Sequence, residues 1–316
     1  MSNALSGLNV VLGGGPVGRT LLERLLARDL RVRVVTRSGR TQAPGAEHVS
    51  ADVADAEQAA RACAGATVVF GCVGMDYVDW PRRWPPMMQG MLAGAEAARA
   101  RFVFTDNLYM YGPVAGPLHE DLPLTDYGTK PATRALMTRM WQAAHREGRV
   151  EVVALRPSDF YGPFVTLALL GSQVFGRAVQ GRSALLVGDI DQPHTFSYVP
   201  DVARALITLA EADDDAMGQA WHVPNASTIT VRQFVELIYR QVGLAPRMRA
   251  LPASLVRLAG LFNANVREVK ELLYEWTQPY IVDHSKFARR FWDDATPLEA
   301  GIRATVEWYR RSLASR

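Results

Sequence analysis

The chain has few cysteines and almost no excess charge of either sign. Its two cysteines, Cys63 and Cys72, are too few for a disulfide framework or for a cysteine-based metal site. Its formal net charge of +3 arises from 35 basic and 32 acidic residues, so the charge balance favours neither a nucleic acid nor a membrane as a partner. The histidines and carboxylates show no spacing typical of metal ligands, and we predict no metal site.

Long hydrophobic runs are also missing. No stretch approaches the roughly 20 apolar residues that a membrane-spanning helix needs. The first residues, MSNALSGLNVVLGGG, lack the basic region of a signal peptide, and glycines interrupt their short apolar run. Together with the unpaired cysteines, this predicts a cytoplasmic protein in a reducing compartment.

Strand-like and helix-like segments alternate through the first half of the chain. Short apolar strands are predicted at 9–12, 31–36, 47–53, 67–73, 101–105 and 151–155. Helical patterns are predicted at 18–28, 55–64, 86–100, 132–147, 201–212, 230–242, 252–274 and 298–312. Alternation of this kind predicts an α/β fold with a parallel sheet covered on both faces.

The pattern changes after Arg156, where Gly and Pro become frequent. We therefore predict a dinucleotide-binding, Rossmann-like doubly wound domain over residues 1–156. A smaller C-terminal α/β domain, mainly substrate-binding, is predicted over 157–316, with some segments free to return to the first domain.

A glycine-rich segment follows the first predicted strand and opens the first predicted helix. It fits G-x-G-x-x-G in the strand–turn–helix context that binds a dinucleotide. The first glycine permits a tight turn, the second lets the backbone approach a pyrophosphate, and the third lets the helix pack close to the strand. The helix N-terminus then offers N–H groups to the phosphates. The predicted cofactor contacts are Gly13, Gly15, Pro16, Val17 and Gly18. The alternative is a structural glycine turn without a nucleotide.

The end of the second strand indicates which dinucleotide is bound. A carboxylate there would favour NAD, whereas this chain has Arg37, Ser38 and Arg40, which suit the 2′-phosphate of NADP. We therefore predict NADP first and NAD second; ordinary surface arginines are the alternative. Asp52, after the third strand, is a candidate contact for the adenine ring or a cap for the helix that begins near Asp55.

Several segments in order resemble the extended short-chain dehydrogenase/reductase superfamily, of the NAD-dependent epimerase/dehydratase type. They are "VVFGCVG", "RFVFTDNLYMYGP", "ALRPSDFYGP", "TFSYVPDVARALITLAE" and "TPLEAGIRATVEWYRR". The glycine loop departs from this family because it is one residue shorter than G-x-x-G-x-x-G. The resemblance implies a cofactor at the carboxyl ends of the strands, touched also by Val73 and Pro157. It implies substrate contacts from Asp159, His194 and Tyr198, although an ordinary exposed histidine also fits His194.

The resemblance further implies hydride chemistry with a tyrosine, a lysine in Y-x-x-x-K spacing and a Ser or Thr. In this chain the Ser/Thr position falls on Asn107, whose amide can still donate to a substrate oxygen. Tyr127 and Lys130 are spaced Y-x-x-K, one residue short. Because Pro131 favours a first helical position, both are expected in a loop.

Three interpretations stay open for the chemistry. Tyr127 and Lys130 act as the acid–base pair in a reshaped loop, with Asn107 polarising the substrate. Alternatively another group supplies the proton, the candidates being Asp106, Tyr109, Tyr111 and Tyr161. Otherwise the chain is a non-catalytic NADP(H)-binding sensor or regulatory protein. The preferred function is an NAD(P)-dependent oxidoreductase or epimerase acting on a small hydroxyl- or carbonyl-bearing substrate, with a sugar or nucleotide sugar implied by the family.

Two further features concern partners and access. Apolar stripes on the helices at 86–100 and 132–147 suggest a homodimer built from four helices, or else plain core packing. These stripes consist of Met87, Met91 and Ala95, and of Met137, Met140, Trp141 and Ala144. The loop 75–86, rich in Trp and Arg, is a candidate substrate lid or a surface loop anchored by its tryptophans.

Overall fold

The computed structural model describes residues 4–39, 43–259 and 270–314. The chain forms two compact units. The first consists of the residues up to Gly112, Pro123–Pro157 and Val202–His222, and the second of Pro113–Leu122, Ser158–Asp201 and the residues from Val223 onward. The chain thus leaves the first unit one residue beyond the predicted boundary and returns to it at Val202. The short excursion of Pro113–Leu122 into the second unit has no counterpart in the sequence prediction.

A seven-stranded parallel sheet forms the centre of the first unit. Its strands are β1 (Leu8–Leu12), β2 (Arg31–Thr36), β3 (Glu47–Ser50), β4 (Ala66–Gly71), β5 (Arg101–Thr105), β6 (Val152–Arg156) and a last strand, Ala220–His222. Their order across the sheet is Ala220–His222, β6, β5, β4, β1, β2, β3, and every neighbouring pair is parallel. From β1 the strands run outward to β2 and β3, and the chain then crosses to the other side of β1 and continues outward from β4. This reversal next to β1 is the topology of a Rossmann-like sheet.

Four helices of the first unit matter for the site. They are α1 (Pro16–Leu26), α2 (Ala56–Cys63), α3 (Trp80–Ala98) and α4 (Thr129–Arg146). The helix Val199–Ala210 supplies a further segment, of which the residues from Val202 belong to this unit. Alternation along β1 sends Leu8, Val10 and Leu12 into the core that α2, α3 and α4 cover. The intervening residue Val11 is also fully buried, so both faces of the sheet are covered.

Helix α3 begins six residues earlier than the sequence predicted. The prolines at 85 and 86 look like a helix start in the sequence, but they lie inside the helix. Pro81 lies in the first turn, where backbone N–H groups have no intrahelical partner, but Pro85 and Pro86 lie beyond it, and each removes one hydrogen bond of the helix. Buried Trp80 and Trp84 fix the early turns through tertiary contacts that local sequence patterns do not contain. The loop predicted at 75–86 is therefore largely helical.

Helix α4 also begins before its predicted start. Gly128, with φ of 60°, ends the preceding loop, and Thr129 opens the helix. Pro131 stands third in the helix, where its missing N–H is not needed. The expectation that Lys130 lies in a loop is wrong, since Lys130 is the second residue of α4.

The apolar stripes predicted for a dimer lie mostly inside the first unit. Met87, Met91, Met137 and Trp141 are buried in its core, as are the alanines at 95 and 144. For these residues the core interpretation is right, because α3 and α4 pack against each other and against the sheet. Of the two stripes only Met140 is partly exposed.

The second unit contains short paired strands and several helices. Its strand pairs are Asp159–Tyr161 with Phe196–Tyr198, Ala184–Val187 with Met248–Leu251, and Pro193–His194 with Ile229–Thr230. Its helices are Arg177–Val179, Val231–Val242, Ala253–Ala259, Ser285–Arg290 and Leu298–Ala314, with a 3₁₀ helix at Lys270–Trp276. Residues 260–269 of the predicted 252–274 helix lie outside the described residues. A separate aromatic core holds this unit together, with Phe234 packed against Tyr161, Phe175 and Phe196.

Two kinds of feature are absent from the described ranges. No helix there is long and apolar enough to cross a membrane. No group of three or more His, Cys, Asp or Glu side chains there could hold a metal ion.

Candidate functional site

The glycine turn joins β1 to α1 with two close backbone approaches. Gly13 has a φ of +105°, and a Cβ built on it would lie 2.5 Å from the carbonyl oxygen of Cys72 at the end of β4. A Cβ on Gly18 would lie 2.1 Å from the carbonyl oxygen of Gly13. The first and third glycines of the motif therefore have the turn and packing roles that the sequence assigned to them.

Gly15 differs from these two glycines because open space surrounds it. It is exposed, its φ of −71° suits any residue, and no atom lies within 4 Å of a built Cβ. Gly15 is the N-cap residue of α1 and has no side chain with which to cap the helix, and Pro16 follows as the first helical residue. An uncapped helix N-terminus beside open space fits the pyrophosphate of a dinucleotide. Val17 is buried behind this surface.

The carboxyl end of β2 lies beside the glycine turn. The N–H of Gly13 donates to the carbonyl of Val35 over 2.9 Å, which ties the turn to this strand. Arg37 and Ser38 follow β2 and are exposed. The hydroxyl of Ser50 donates to the Arg37 carbonyl over 2.9 Å and orders the loop backbone. Arg40 lies outside the described residues.

Asp52 follows β3 and is half-buried at the same edge of the sheet. Its Oδ1 accepts the N–H of Ala54 over 3.1 Å. The interpretation of Asp52 as a helix cap is wrong, because Asp55 caps α2 through the N–H groups of Glu57 and Gln58. These hydrogen bonds, with that from the Gln58 side chain, lower the pKa of Asp55. Val73 and Pro157 lie at the carboxyl ends of β4 and β6, partly and fully buried respectively.

A buried carboxylate occupies the carboxyl end of β5. Asp106 Oδ1 accepts from Nη1 of Arg134 on α4 over 3.2 Å, and its Oδ2 accepts from Nε of Arg156 over 3.3 Å. Arg156 also donates to the hydroxyl of Tyr111 over 2.6 Å and to that of Thr138 over 3.1 Å. The carboxylate thus connects β5, β6 and α4 in a region that excludes water.

Two tryptophans of α3 pack against Arg134, one of the two arginines of this network. The Arg134 guanidinium lies 4.5 Å from the ring of Trp80 and 4.0 Å from that of Trp84. Burial lowers the pKa of Arg134, while the Asp106 carboxylate acts in the opposite direction. Trp80 and Trp84 are buried, which agrees with the alternative that the tryptophans anchor the segment 75–86, and its role as a substrate lid stays a prediction.

The three residues predicted to be catalytic lie in different environments. Asn107 is half-buried, and its Oδ1 accepts the N–H of Tyr109 over 3.1 Å; its amide nitrogen has no protein partner within the described ranges. Tyr127 precedes α4 and is 42% exposed, whereas Lys130 in the first turn is only 2% exposed. The ammonium of Lys130 lies 5.7 Å from the ring centre of Tyr77.

Tyr77 is a residue that sequence reasoning missed. Its hydroxyl lies 2.9 Å from that of Tyr109, one of the alternative proton carriers. Tyr77 belongs to a short 3₁₀ helix, Tyr77–Asp79, far from 109 in sequence. The only signal for it was its position shortly after the fourth strand, at the edge of the sheet where dinucleotides bind.

The other candidate tyrosines are buried. The hydroxyl of Tyr111 is held by Arg156 and by Nε2 of His222, 3.1 Å away. Tyr161, in the second unit, is 1% exposed, and its burial strongly raises its pKa. Both fit the alternative of aromatic packing before a Gly-Pro turn.

The predicted substrate residues belong to the second unit. Nε2 of His194 lies 2.9 Å from Oδ2 of Asp159, and its ring stacks on Trp276 at 4.5 Å. His194 is fully buried, so the alternative of an exposed histidine is wrong. Tyr198 is half-buried against Tyr161, with ring centres 5.2 Å apart.

A buried acid near this pair was not predicted from the sequence. Glu275 is almost completely buried, and desolvation, reinforced by Asp159, raises its pKa well above the ordinary value. A hydrogen bond from Tyr280 opposes that rise. Burial at this position therefore favours the neutral form of the Glu275 carboxyl over its charged form.

The two cysteines show no sign of reactivity. Both thiols are unpaired and buried, and desolvation raises the pKa of each to about 12. Neither Cys63 nor Cys72 forms a thiolate at neutral pH, which argues against a nucleophilic or redox role.

A family model matches residues 9–223, about two-thirds of the chain. The matched region contains the glycine turn, the Asp106 network and Lys130. The description of the family model is the NAD dependent epimerase/dehydratase family. The chain belongs to this family. The predicted resemblance and the predicted Rossmann-like fold are confirmed, and the chain is a member of a family of NAD-dependent enzymes.

Curated relatives are similar at a lower level. A 3beta-hydroxysteroid-dehydrogenase/decarboxylase of Arabidopsis thaliana is 24% identical over 88% of this chain and 54% of its own length. A dTDP-glucose 4,6-dehydratase of Xanthomonas campestris is 25% identical over 68% of this chain and 58% of its own length. The chain thus spans little more than half the length of these two relatives.

Solved structures resemble the chain over nearly its whole length. A UDP-glucose 4-epimerase of Thermotoga maritima, with UDP-glucose, has a TM-score of 0.80 at 19% identity. The match covers 97% of this chain and 99% of the epimerase chain. A dTDP-glucose 4,6-dehydratase of Streptomyces venezuelae with NAD bound has a TM-score of 0.78 at 20% identity and covers 98% of both chains. At these identities the likeness establishes the fold.

The different surroundings of Gly15 and Gly18 lead to a stability prediction. Gly18→Ala places a methyl group against the Gly13 carbonyl and should lower the free energy of unfolding by about 1–3 kcal/mol. Gly15→Ala points into open space at a permissive φ and should change it by less than about 0.5 kcal/mol. Thermal unfolding of both variants checks this, and equal midpoints would contradict the packing described for α1.

Proposed function

We propose that the protein is an NAD(P)-dependent oxidoreductase or epimerase acting on a hydroxyl- or keto-bearing sugar nucleotide. The observation that carries the proposal is the open, uncapped N-terminus of α1 above Gly15, within a chain of the NAD dependent epimerase/dehydratase family. The sugar-nucleotide substrate is suggested by relatives named as dTDP-glucose dehydratases and by similar structures named as UDP-glucose epimerases.

The residues present fit such a cofactor. The pyrophosphate would bind at Gly15 and Val17, and the ribose would reach the loop that follows β2. Bound NAD(P) supplies a hydride acceptor and donor at this site. Asn107 would donate an amide hydrogen bond to the substrate oxygen, and the buried Lys130 would hold a positive charge near the tyrosine that moves the proton. The predicted role of Tyr127 as that tyrosine stays a prediction, and Tyr109 is the other candidate.

Cofactor choice is proposed to depend on Arg37. Its exposed guanidinium and the hydroxyl of Ser38 suit a 2′-phosphate, and the absence of a carboxylate at the end of β2 favours NADP. The family description and similar structures with NAD favour NAD as the alternative.

Arg37→Ala decides between the two cofactors. If Arg37 reads the 2′-phosphate, the variant should lose about tenfold or more in NADP affinity and little in NAD affinity, since a charge-assisted hydrogen bond is lost. Arg31→Ala is the matched control, because it removes an exposed arginine from the amino end of the same strand. Binding titrations with both dinucleotides measure the effect. Equal losses for NAD and NADP in Arg37→Ala would refute this role.

Turnover separates an enzyme from the alternative, a non-catalytic sensor. The purified protein should convert a member of a panel of dTDP- and UDP-linked hexoses, followed by chromatography of the sugars and by the absorbance of reduced nicotinamide. Tight dinucleotide binding without any conversion across the panel would favour the sensor. Failure to bind either dinucleotide would overturn the proposed function itself.

We also propose a cytoplasmic homodimer. The buried, unpaired thiols of Cys63 and Cys72 agree with a reducing compartment. A shallow groove between α3 and α4 contains Ala93, Met140 and Ala143, which are partly exposed, and is bordered by Gln89 and by the ion pair of Glu96 with Arg149. Small and apolar residues of this kind suit a second copy of the same two helices.

Met140→Glu tests the dimer at this groove. A carboxylate there should shift the protein from dimer to monomer, because its burial across a two-fold interface places two like charges together. Arg139→Glu, at an exposed neighbouring position, is the control for added negative charge. Light scattering after size-exclusion chromatography gives the mass. A monomeric wild type, or an unchanged dimer in Met140→Glu, would contradict the proposal.

A further inference from the structure

We propose that the paired hydroxyls of Tyr77 and Tyr109 form the acid–base group of this site, in the role that the Y-x-x-x-K tyrosine has in relatives. The inference rests on the proposed hydride chemistry and names the residues that move its proton. Tyr77 and Tyr109 follow β4 and β5, Lys130 and Arg134 lie on α4, and all four residues belong to the first unit.

The position of Lys130 is the first reason. A lysine that assists a tyrosine must lie near that tyrosine's ring or hydroxyl, and the Lys130 ammonium lies 5.7 Å from the ring centre of Tyr77. Tyr127 stands three residues before Lys130, outside α4, with 42% of its surface exposed. A phenol so open to water gains little from a buried cation, because solvent screens the interaction.

The hydroxyl pair is the second reason. The oxygens of Tyr77 and Tyr109 are 2.9 Å apart, so one phenol donates to the other. If the acceptor ionises, its charge is stabilised by that hydrogen bond, and the pair loses its first proton more readily than an isolated phenol. Both side chains are half-buried, which leaves part of each accessible to a ligand.

The two rings are held in place by Trp80. The Tyr109 ring stacks on Trp80 with centres 5.7 Å apart, and the Tyr77 ring packs against it at 5.0 Å. The backbone of Tyr109 is fixed by the carbonyl oxygen of the Asn107 side chain. The same turn thus places the proposed proton carrier and the proposed substrate-orienting amide two residues apart.

Positive charge next to the pair is the third reason. Lys130 and Arg134 are four residues apart on α4 and therefore lie on one face of it. Negative charge on Asp106, Tyr109 or Tyr77 would favour the charged form of Arg134, so these groups are close enough to Arg134 to interact with it. Among the charged groups near the pair, Asp106 is occupied by two arginines, and Asp79 forms ion pairs with Arg82 and Arg83. The cations therefore favour a phenolate on the pair.

The proposed step is the oxidation of a substrate alcohol to a carbonyl. The substrate O–H bond breaks and its proton passes to the phenolate oxygen of the pair, while the carbon–oxygen bond becomes a carbonyl. The same carbon loses a hydride, which an oxidised nicotinamide dinucleotide held at the glycine turn would accept. In the reverse direction the phenol returns the proton to the oxygen of the new alcohol.

Ultraviolet titration of phenolate tests the pair without any substrate. The wild-type protein should show a tyrosine that ionises below the ordinary pKa of about 10. Tyr77→Phe and Tyr109→Phe should each abolish this early step, because each removes one hydroxyl of the pair. Lys130→Met should move it to higher pH. If no early step exists, or if it survives in both tyrosine variants, the inference is overturned.

Kinetics of the same variants complete the test. Tyr77→Phe and Tyr109→Phe should lower kcat by about 10²–10⁴-fold, with dinucleotide affinity and melting temperature close to wild type. The low-pH limb of kcat/KM should move to higher pH in Lys130→Met. If Tyr127→Phe causes the large loss instead and the two pair variants keep wild-type kcat, the pair is not the proton carrier. A wild type that shows the early titration step but no turnover would count against the proposed function and leave the phenolate pair intact.

Discussion

The ion pairs of Asp106 with Arg134 and Arg156 fix the part of the first unit on which the candidate chemistry depends. Burying a carboxylate to this extent costs on the order of several kilocalories per mole in lost hydration, and its two arginine partners offset that cost. Its two arginines come from α4 and from the end of β6, so the pairing fixes the distance between helix and sheet. Arg134 in turn lies against the tryptophans of α3. The position of Lys130, one helical turn before Arg134, follows from this arrangement.

Much of the fold could be predicted from local patterns. The strands of the first unit begin and end within about three residues of their predicted limits, because buried parallel strands are short, apolar and bounded by turn residues. The glycine turn was predictable for the same reason, since each glycine has a steric role that the spacing alone specifies. The starts of α3 and α4 were not predictable. Prolines at 85, 86 and 131 looked like helix starts, and only the burial of Trp80 and Trp84 explains why α3 extends past them.

The candidate site was predictable where it depends on backbone and much less so where it depends on side-chain contacts. Asn107 and Lys130 could be chosen by their place in the chain. The meeting of Tyr77 with Tyr109 could not, because it joins two loops across the edge of the sheet. His194 illustrates the same limit in the second unit: its burial arises from Phe196, Trp276 and Tyr280, which surround its ring.

The register of α4 has a consequence for how the segment before it can vary. Arg134 locks the rotation of the helix through Asp106 and the two tryptophans, so Lys130 keeps its direction whatever the length of the preceding loop. Gly128, with its positive φ, ends that loop just outside the helix. A residue inserted before Gly128 would move Tyr127 and leave Lys130 in place. One inserted between Lys130 and Arg134 would turn the lysine about 100° around the helix axis. Length variation is therefore tolerable before Lys130 and costly between Lys130 and Arg134, so a tyrosine–lysine spacing one residue shorter than Y-x-x-x-K leaves the buried cation in place.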